Sequence, residues 1–138
     1  MTNTLTTNIK ATINQIQSLE EAGAVIVRVS CPDEESTKAL KKITIDQNTA
    51  IVTLTHDPKL DDPALEYSLK TNAFYIGCLG SKKTHNSRIL RLKKKGINEE
   101  QLNKLNGPVG LSIGAKTPSE IAISIISQVI LFKNTVNA

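Results

Sequence analysis

Two short stretches of this sequence combine residue types suited to holding or transforming a small anion. The first is Gly77-Cys78-Leu79-Gly80-Ser81-Lys82-Lys83, in which glycines join an apolar run to a basic segment. With the apolar run as a strand and the basic segment as a helix, backbone N–H groups at the helix start are left for an oxyanion, and Ser81, Lys82 and Lys83 add donors and charge. A helix end contributes only about 0.3–1 kcal/mol at an exposed position, so the lysines must supply much of the attraction. A tight turn with a solvated lysine pair explains the same residues equally well, because G-x-x-G is a common pattern. The second stretch is Thr55-His56-Asp57-Pro58, which holds the only obvious acid/base pair. Neighbours in an extended segment point apart, so His56 and Asp57 are not a preformed dyad, and a polar loop histidine is the plainer explanation. Ser30-Cys31 is a third loop of this kind.

Other motifs fall short of a catalytic site. There is no G-x-G-x-x-G, and in Gly110-Leu111-Ser112-Ile113-Gly114-Ala115-Lys116-Thr117 an alanine separates the last glycine from the lysine, which breaks the Walker pattern. Lys116-Thr117 reads instead as the start of a helix. His85 lies within the basic segment and reads as a surface histidine, and no nucleophile can be matched to a base from spacing. Cys31 and Cys78 form no C-x-x-C, so neither a zinc site nor a redox motif is indicated and two reduced thiols are expected.

The elements that position these loops follow from hydrophobic spacing. Ile9, Ile13, Ile16 and Leu19 recur as in an amphipathic helix that Gly23 ends. Ala24 to Val29 is a β-branched strand, and Pro32 to Glu35 open a second helix that buries Leu40 and Ile43. Ala50 to Leu54 is a second strand, Asp62-Pro63 starts a third helix with Leu65 and Leu69 inward, and Ala73 to Ile76 is a third strand. A basic helix then runs to about Lys95 and stops at Gly96. Asn98 to Gln101 and Thr117 to Glu120 read as capping boxes for a short and a final helix, and a fourth strand falls near Val109 to Ile113. Strands alternating with helices predict an α/β fold, a small Rossmann-like parallel sheet with helices on both faces, built as a single domain over residues 1–138. Ligands of such sheets bind beyond the carboxyl ends of the strands, where the three loops above should converge.

Composition narrows the partners. A 138-residue chain of 15.0 kDa suits one domain that buries roughly 68% of its unfolded surface without a metal or disulfide. Trp is absent and Tyr and Phe number two each, so stacking on nucleic-acid bases has little to work with. The net charge of +4 is concentrated in Lys82, Lys83, Arg88, Arg91 and Lys93 to Lys95, a run that reads as a solvated helix face rather than a nucleic-acid surface. The N-terminus is polar and the most apolar stretch, Ile121 to Phe132, is too short to span a bilayer, which points to the cytoplasm and to no membrane role. A narrow sheet with exposed edges and an apolar final helix lead us to expect a homodimer.

From about residue 46 to 132 the chain resembles the C-terminal Rossmann-like domain of the XdhC/CoxI accessory proteins. The words that carry the resemblance are THDPKLDDPALE at Thr55 to Glu66, FYIGCLGSKKTH at Phe74 to His85, and GPVGLSIGAKTPSEIAISI at Gly107 to Ile125. The resemblance implies that Thr55, His56, Asp57, Gly80, Ser81, Lys82 and Lys83 border a ligand cleft, to which the loop argument adds Gly77. It also implies a nucleotide or the molybdenum cofactor as ligand and a molybdenum hydroxylase as partner. Ser112 stands where the family pattern has aspartate, and the family's glycine-rich first strand-turn has no counterpart. Met1 to Leu40 is similar instead to the start of the isoprenoid enzyme hydroxymethylbutenyl diphosphate synthase, the IspG/GcpE family. That likeness implies a helix-strand-helix segment over residues 1–43 joined to the Rossmann segment over 46–133, without the iron–sulfur cysteines of isoprenoid catalysis. The expected function is that of a non-catalytic, truncated XdhC-like domain with a phosphate- or nucleotide-type anion site. Two alternatives stay open: a gene-fusion product that folds and oligomerises without a ligand, and an accessory protein for insertion of the molybdenum cofactor into xanthine dehydrogenase.

Overall fold

The computed structural model describes Lys38 and residues 40–136, His56 excepted. The expected opening helix, the strand from Ala24 to Val29, Cys31 and the start of the second helix lie outside the described residues; Lys38, Leu40 and Lys41 are helical. The chain groups into two compact units, one whose described part is Gly110–Gln128 and one holding the described residues up to Val109 together with 129–136.

The larger unit contains a parallel sheet of three strands in the order β1 (Ala50–Thr53), β2 (Tyr75–Cys78) and β3 (Leu105–Asn106). Ile51 pairs with Ile76, Thr53 with Cys78, and Gly77 with both Val52 and Asn106. All four residues of β2 are buried, as expected for a central parallel strand covered on both faces. The chain is thus α/β, with parallel strands in one sheet joined through helices.

β2 runs two residues further than the strand read from Ala73 to Ile76, and the reason is Gly77. A Cβ there would run into the Val109 side chain and approach the Tyr75 hydroxyl. The glycine therefore marks a tight approach of neighbouring groups to the strand rather than its end. The expected fourth strand near Val109 to Ile113 is replaced by the shorter β3 upstream. Pro108 has no N–H to extend the ladder, and beyond it Val109 makes a single bond to the Cys78 carbonyl at 3.0 Å.

Helix α1 (Pro58–Ser68) begins four residues before the Asp62-Pro63 start read from sequence. Asp57 is extended and accepts from the Lys59 N–H at 3.0 Å, and Pro58 at the first position has no donor to lose. Pro63 consequently lies inside the helix. α2 (Lys82–Lys94) and α3 (Glu99–Leu102) start at the capping residues Ser81 and Asn98, and the Asn98/Gln101 capping box is present as read. Leu65 and Leu69 around α1, Leu92 of α2 and Ile76 of β2 are fully buried in one apolar core with Ile97, Leu102 and Leu105. Each contributes about 1.5–3 kcal/mol relative to its exposed state.

The last helix, α4 (Pro118–Val136), opens as its capping box predicts: Glu120 accepts from the Lys116 and Thr117 N–H groups at 2.9 and 2.8 Å, and Thr117 accepts from the Glu120 N–H at 3.2 Å. In the smaller unit Leu111 donates to the Ser124 carbonyl at 3.1 Å and Gly110 to the Gln128 side chain at 2.9 Å. In the larger unit Phe132 meets Tyr75 edge to face, ring centroids 5.2 Å apart. No helix among the described residues is long and apolar enough to cross a membrane.

Candidate functional site

Helices α1 and α2 follow β1 and β2 directly, so both begin at the carboxyl edge of the sheet and run back along it. Their inward stripes have the same design. On α1 the buried positions are Asp61, Ala64, Leu65 and Ser68; on α2 Arg88 and Leu92 are buried, with His85 and Ile89 half-buried beside them. Each set has i, i+3, i+4, i+7 spacing and begins on an ionisable residue, Asp61 or His85; the α1 set ends on Ser68, whose hydroxyl donates to the Ala64 carbonyl at 2.7 Å, and the α2 set on Leu92. These stripes bring Asp61 and Arg88 to the carboxyl edge, close to Cys78 at the end of β2, and set the His85 ring against Gly107.

Asp61, Cys78 and Arg88 form a connected network. The Thr55 hydroxyl donates to Asp61 Oδ1 at 2.7 Å, and the Cys78 thiol makes long contacts to Asp61 Oδ2 at 3.9 Å and to the Leu79 carbonyl at 3.6 Å. Arg88, only 2% exposed, reaches the same carbonyl through Nη2 at a stretched 3.5 Å, and its Nε is 3.7 Å from Asp62. Asp62 makes its closer bonds to Arg91, at 2.6 Å to Nε and 3.3 Å to Nη2. Arg88 Nη1 and His85 Nδ1 are buried with no hydrogen-bond partner. Burial pushes the Cys78 thiol above its usual value, so it is protonated at neutral pH and a poor nucleophile. Burial, aided by the charge of Arg88, pulls His85 below the usual histidine value, leaving a neutral imidazole at pH 7.

Most of the residues singled out from sequence come to this edge. Ser81 caps α2 with a capping box: its hydroxyl accepts from the Thr84 N–H at 3.1 Å, and its own N–H donates to Thr84 Oγ1 at 2.8 Å. The Lys82 and Lys83 N–H groups remain the first-turn donors without a partner, and both side chains are exposed. Gly80 precedes the cap with φ +153°, and a Cβ there would press on the Thr84 hydroxyl at 3.2 Å. Thr55 and Asp57 lie at the start of α1, linked by the Asp57 N–H donating to Thr55 Oγ1 at 3.1 Å, and Leu79 joins the two loops by donating to the Thr53 carbonyl at 3.0 Å. Gly77 is the exception: it is buried in β2, set back from the loop. His56 lies outside the described residues.

Sequence reading missed Asp61 and Arg88 as site residues. Arg88 was counted in the solvated basic run, yet extending the Ile89/Leu92 stripe back by one turn lands on His85 and Arg88. Leu90, one position on, falls off this stripe and is 61% exposed. Among the described residues no cluster of three or more His, Cys, Asp or Glu could hold a metal ion.

Comparison with known proteins gives this edge a context. Residues 8–129 match the XdhC Rossmann domain family. The molybdenum cofactor insertion chaperone PaoD of Escherichia coli is 33% identical over 85 residues, 62% of this chain and 27% of that protein. A crystal structure described as a xanthine dehydrogenase from Bacillus halodurans aligns with a TM-score of 0.60 and 36% identity, over 75% of this chain and 28% of that one. The 4-hydroxy-3-methylbut-2-en-1-yl diphosphate synthase (flavodoxin) of Rhodospirillum rubrum is 61% identical over 56 residues, 41% of this chain and 15% of that one. The chain thus spans less than a third of the length of each of these relatives. The family match begins at residue 8, well ahead of residue 46, where the motif resemblance starts, and it reaches past the third motif to take in most of the described chain: this protein belongs to the XdhC Rossmann domain family.

Proposed function

We propose that this protein is a non-catalytic Rossmann domain of the XdhC type that holds a phosphate- or nucleotide-type oxyanion at the start of α2, between Thr55–Asp57 and Gly80–Lys83. The observation that carries the reading is the pair of partnerless N–H groups of Lys82 and Lys83 at a sheet's carboxyl edge, with both ammonium groups exposed beside them. The buried, protonated thiol of Cys78 supports binding over nucleophilic chemistry. Isothermal titration calorimetry with pyrophosphate, nucleotides and pterin phosphates tests it on wild type and Lys82→Ala/Lys83→Ala. Saturable binding that weakens roughly tenfold in the variant and falls with added salt is expected. A wild-type chain that binds none of these anions overturns the reading and favours a fusion product without a ligand, the alternative suggested by the diphosphate-synthase similarity.

A second reading follows from the similarity to PaoD and to the Bacillus halodurans structure: the anion is the phosphate of a pterin cofactor, passed to a molybdenum hydroxylase in the cytoplasm. Co-purification of the tagged chain with such a hydroxylase subunit supports it; a chain that binds nucleotides but no pterin phosphate counts against it. We further take residues 1–138 to fold as one domain and to pair as a homodimer.

A further inference from the structure

Arg88 is 2% exposed, and its charge is incompletely compensated. Asp62 gives its short two-point bond to Arg91 and stands 3.7 Å from Arg88 Nε, while Nη2 has only the 3.5 Å contact to the Leu79 carbonyl and Nη1 has no partner. A buried cation is retained at low cost only when its donors are matched. The unmatched end of this guanidinium lies under the loop that starts α2: Nη1 is 3.7 Å from the position a Cβ on Gly80 would take. The first turn of α2, which follows that loop, carries the Lys82 and Lys83 N–H groups, left without an intrahelical partner.

We propose that Arg88 is the deep ligand of the oxyanion site, its Nη1 and Nη2 taking two oxygens of a phosphate or diphosphate group that Lys82 and Lys83 hold from the solvent side. The inference rests on the oxyanion reading above and adds the residue that selects the ligand class. A guanidinium fork binds two oxygens at once, whereas an ammonium is a point charge. A phosphate group has further oxygens for the helix N–H donors, which a carboxylate engaged by the fork does not. The weak contact to Leu79 is the one a ligand displaces, and Gly80, without a side chain, places no Cβ between Thr84 and Arg88 Nη1.

The test is titration of the 138-residue chain with pyrophosphate, inorganic phosphate and acetate at low and high salt, for wild type, Arg88→Lys, Arg88→Gln and Lys82→Ala/Lys83→Ala. Arg88→Lys and Arg88→Gln are expected to lose roughly tenfold or more in pyrophosphate affinity, the size of one charge-assisted hydrogen bond. They should keep the steep salt dependence, which the lysine variant flattens because exposed charges are the screened ones. Acetate should bind at least roughly tenfold more weakly than pyrophosphate. Pyrophosphate binding that survives in folded Arg88 variants within twofold, while the lysine variant loses it, overturns the assignment of Arg88 and leaves the oxyanion site standing. No binding by wild type overturns both. Should the Arg88 variants fail to fold, the Arg88 Nε–H resonance of wild type decides: a shift on saturation with pyrophosphate supports the proposal, and an unmoved resonance ends it.

Discussion

Residues at the carboxyl edge differ sharply in how much the fold depends on them, and Asp62 is the clearest case. It answers two arginines at once, Arg91 at the surface and Arg88 in the interior. Asp62→Ala strands a buried guanidinium and is expected to cost about 3 kcal/mol, whereas Arg91→Ala removes a half-exposed pair and costs about 1 kcal/mol or less. Urea unfolding of both variants reads the difference, and equal losses would show that Arg88 does not depend on Asp62. His85 supplies a pH dependence of known sign. Its folded value lies below the ordinary 6.5, so the unfolded chain takes up the proton first. The contribution of the neutral imidazole is therefore complete above about pH 6.5 and is lost as pH falls below that value toward the folded one. His85→Gln should remove this part of the stability–pH profile, and a two-dimensional NMR titration should place the His85 midpoint below 6.5. Cys78 is equally specific: in a Cys31→Ser background its thiol, buried and shifted upward, should react with iodoacetamide far more slowly at pH 8 in the native chain than in urea.

Elements are held by local choices that sequence shows with uneven clarity. The capping boxes at Asn98 and Thr117 were legible because a polar cap and its partner three residues on are adjacent facts of the chain, and the structure realises both. The start of α1 was misread because two prolines compete for the first helical position, and Asp57, which decides between them, looked like the acid of an acid/base pair. Gly77 misled for a related reason: a glycine demanded by tight packing and one demanded by a turn are the same letter. The two cases respond differently to mutation. Gly77→Ala inserts a methyl against Val109 and Tyr75 in the central strand and should cost about 1–3 kcal/mol, while a glycine in a permissive turn would tolerate it. Ser81→Ala removes the cap of α2 and should cost about 1 kcal/mol. It should also weaken anion binding, because the first turn that carries the Lys82 and Lys83 N–H groups then frays. Thermal melts and pyrophosphate titrations of the two variants separate the effects: Gly77→Ala should move stability more than affinity.

At the scale of the whole molecule, the α/β order and the parallel sheet were legible from alternation alone, while the identity of the buried polar groups was not. Arg88 reads as part of a solvated run and Asp61 draws no notice, because such residue types are mostly exposed, and only the phase of the neighbouring apolar stripe turns them inward. The same phase argument applied to α4 leads outward. Ile130 and Leu131, in the part of α4 that belongs to the larger unit, are 40% and 51% exposed. Phe132 turns the opposite way, onto Tyr75. A 19-residue helix is about 28 Å long, enough for two copies related by a two-fold axis to cover these side chains against each other. Each fully covered aliphatic side chain contributes about 1.5–3 kcal/mol, so two per chain, four across a two-fold axis, weigh against the loss of freedom on association. Light scattering at high micromolar concentration should therefore read twice the 15.0 kDa of the chain, and Ile130→Glu/Leu131→Lys should return it to one. A wild-type monomer at that concentration would remove the dimer and leave this apolar pair of α4 without a partner from its own kind.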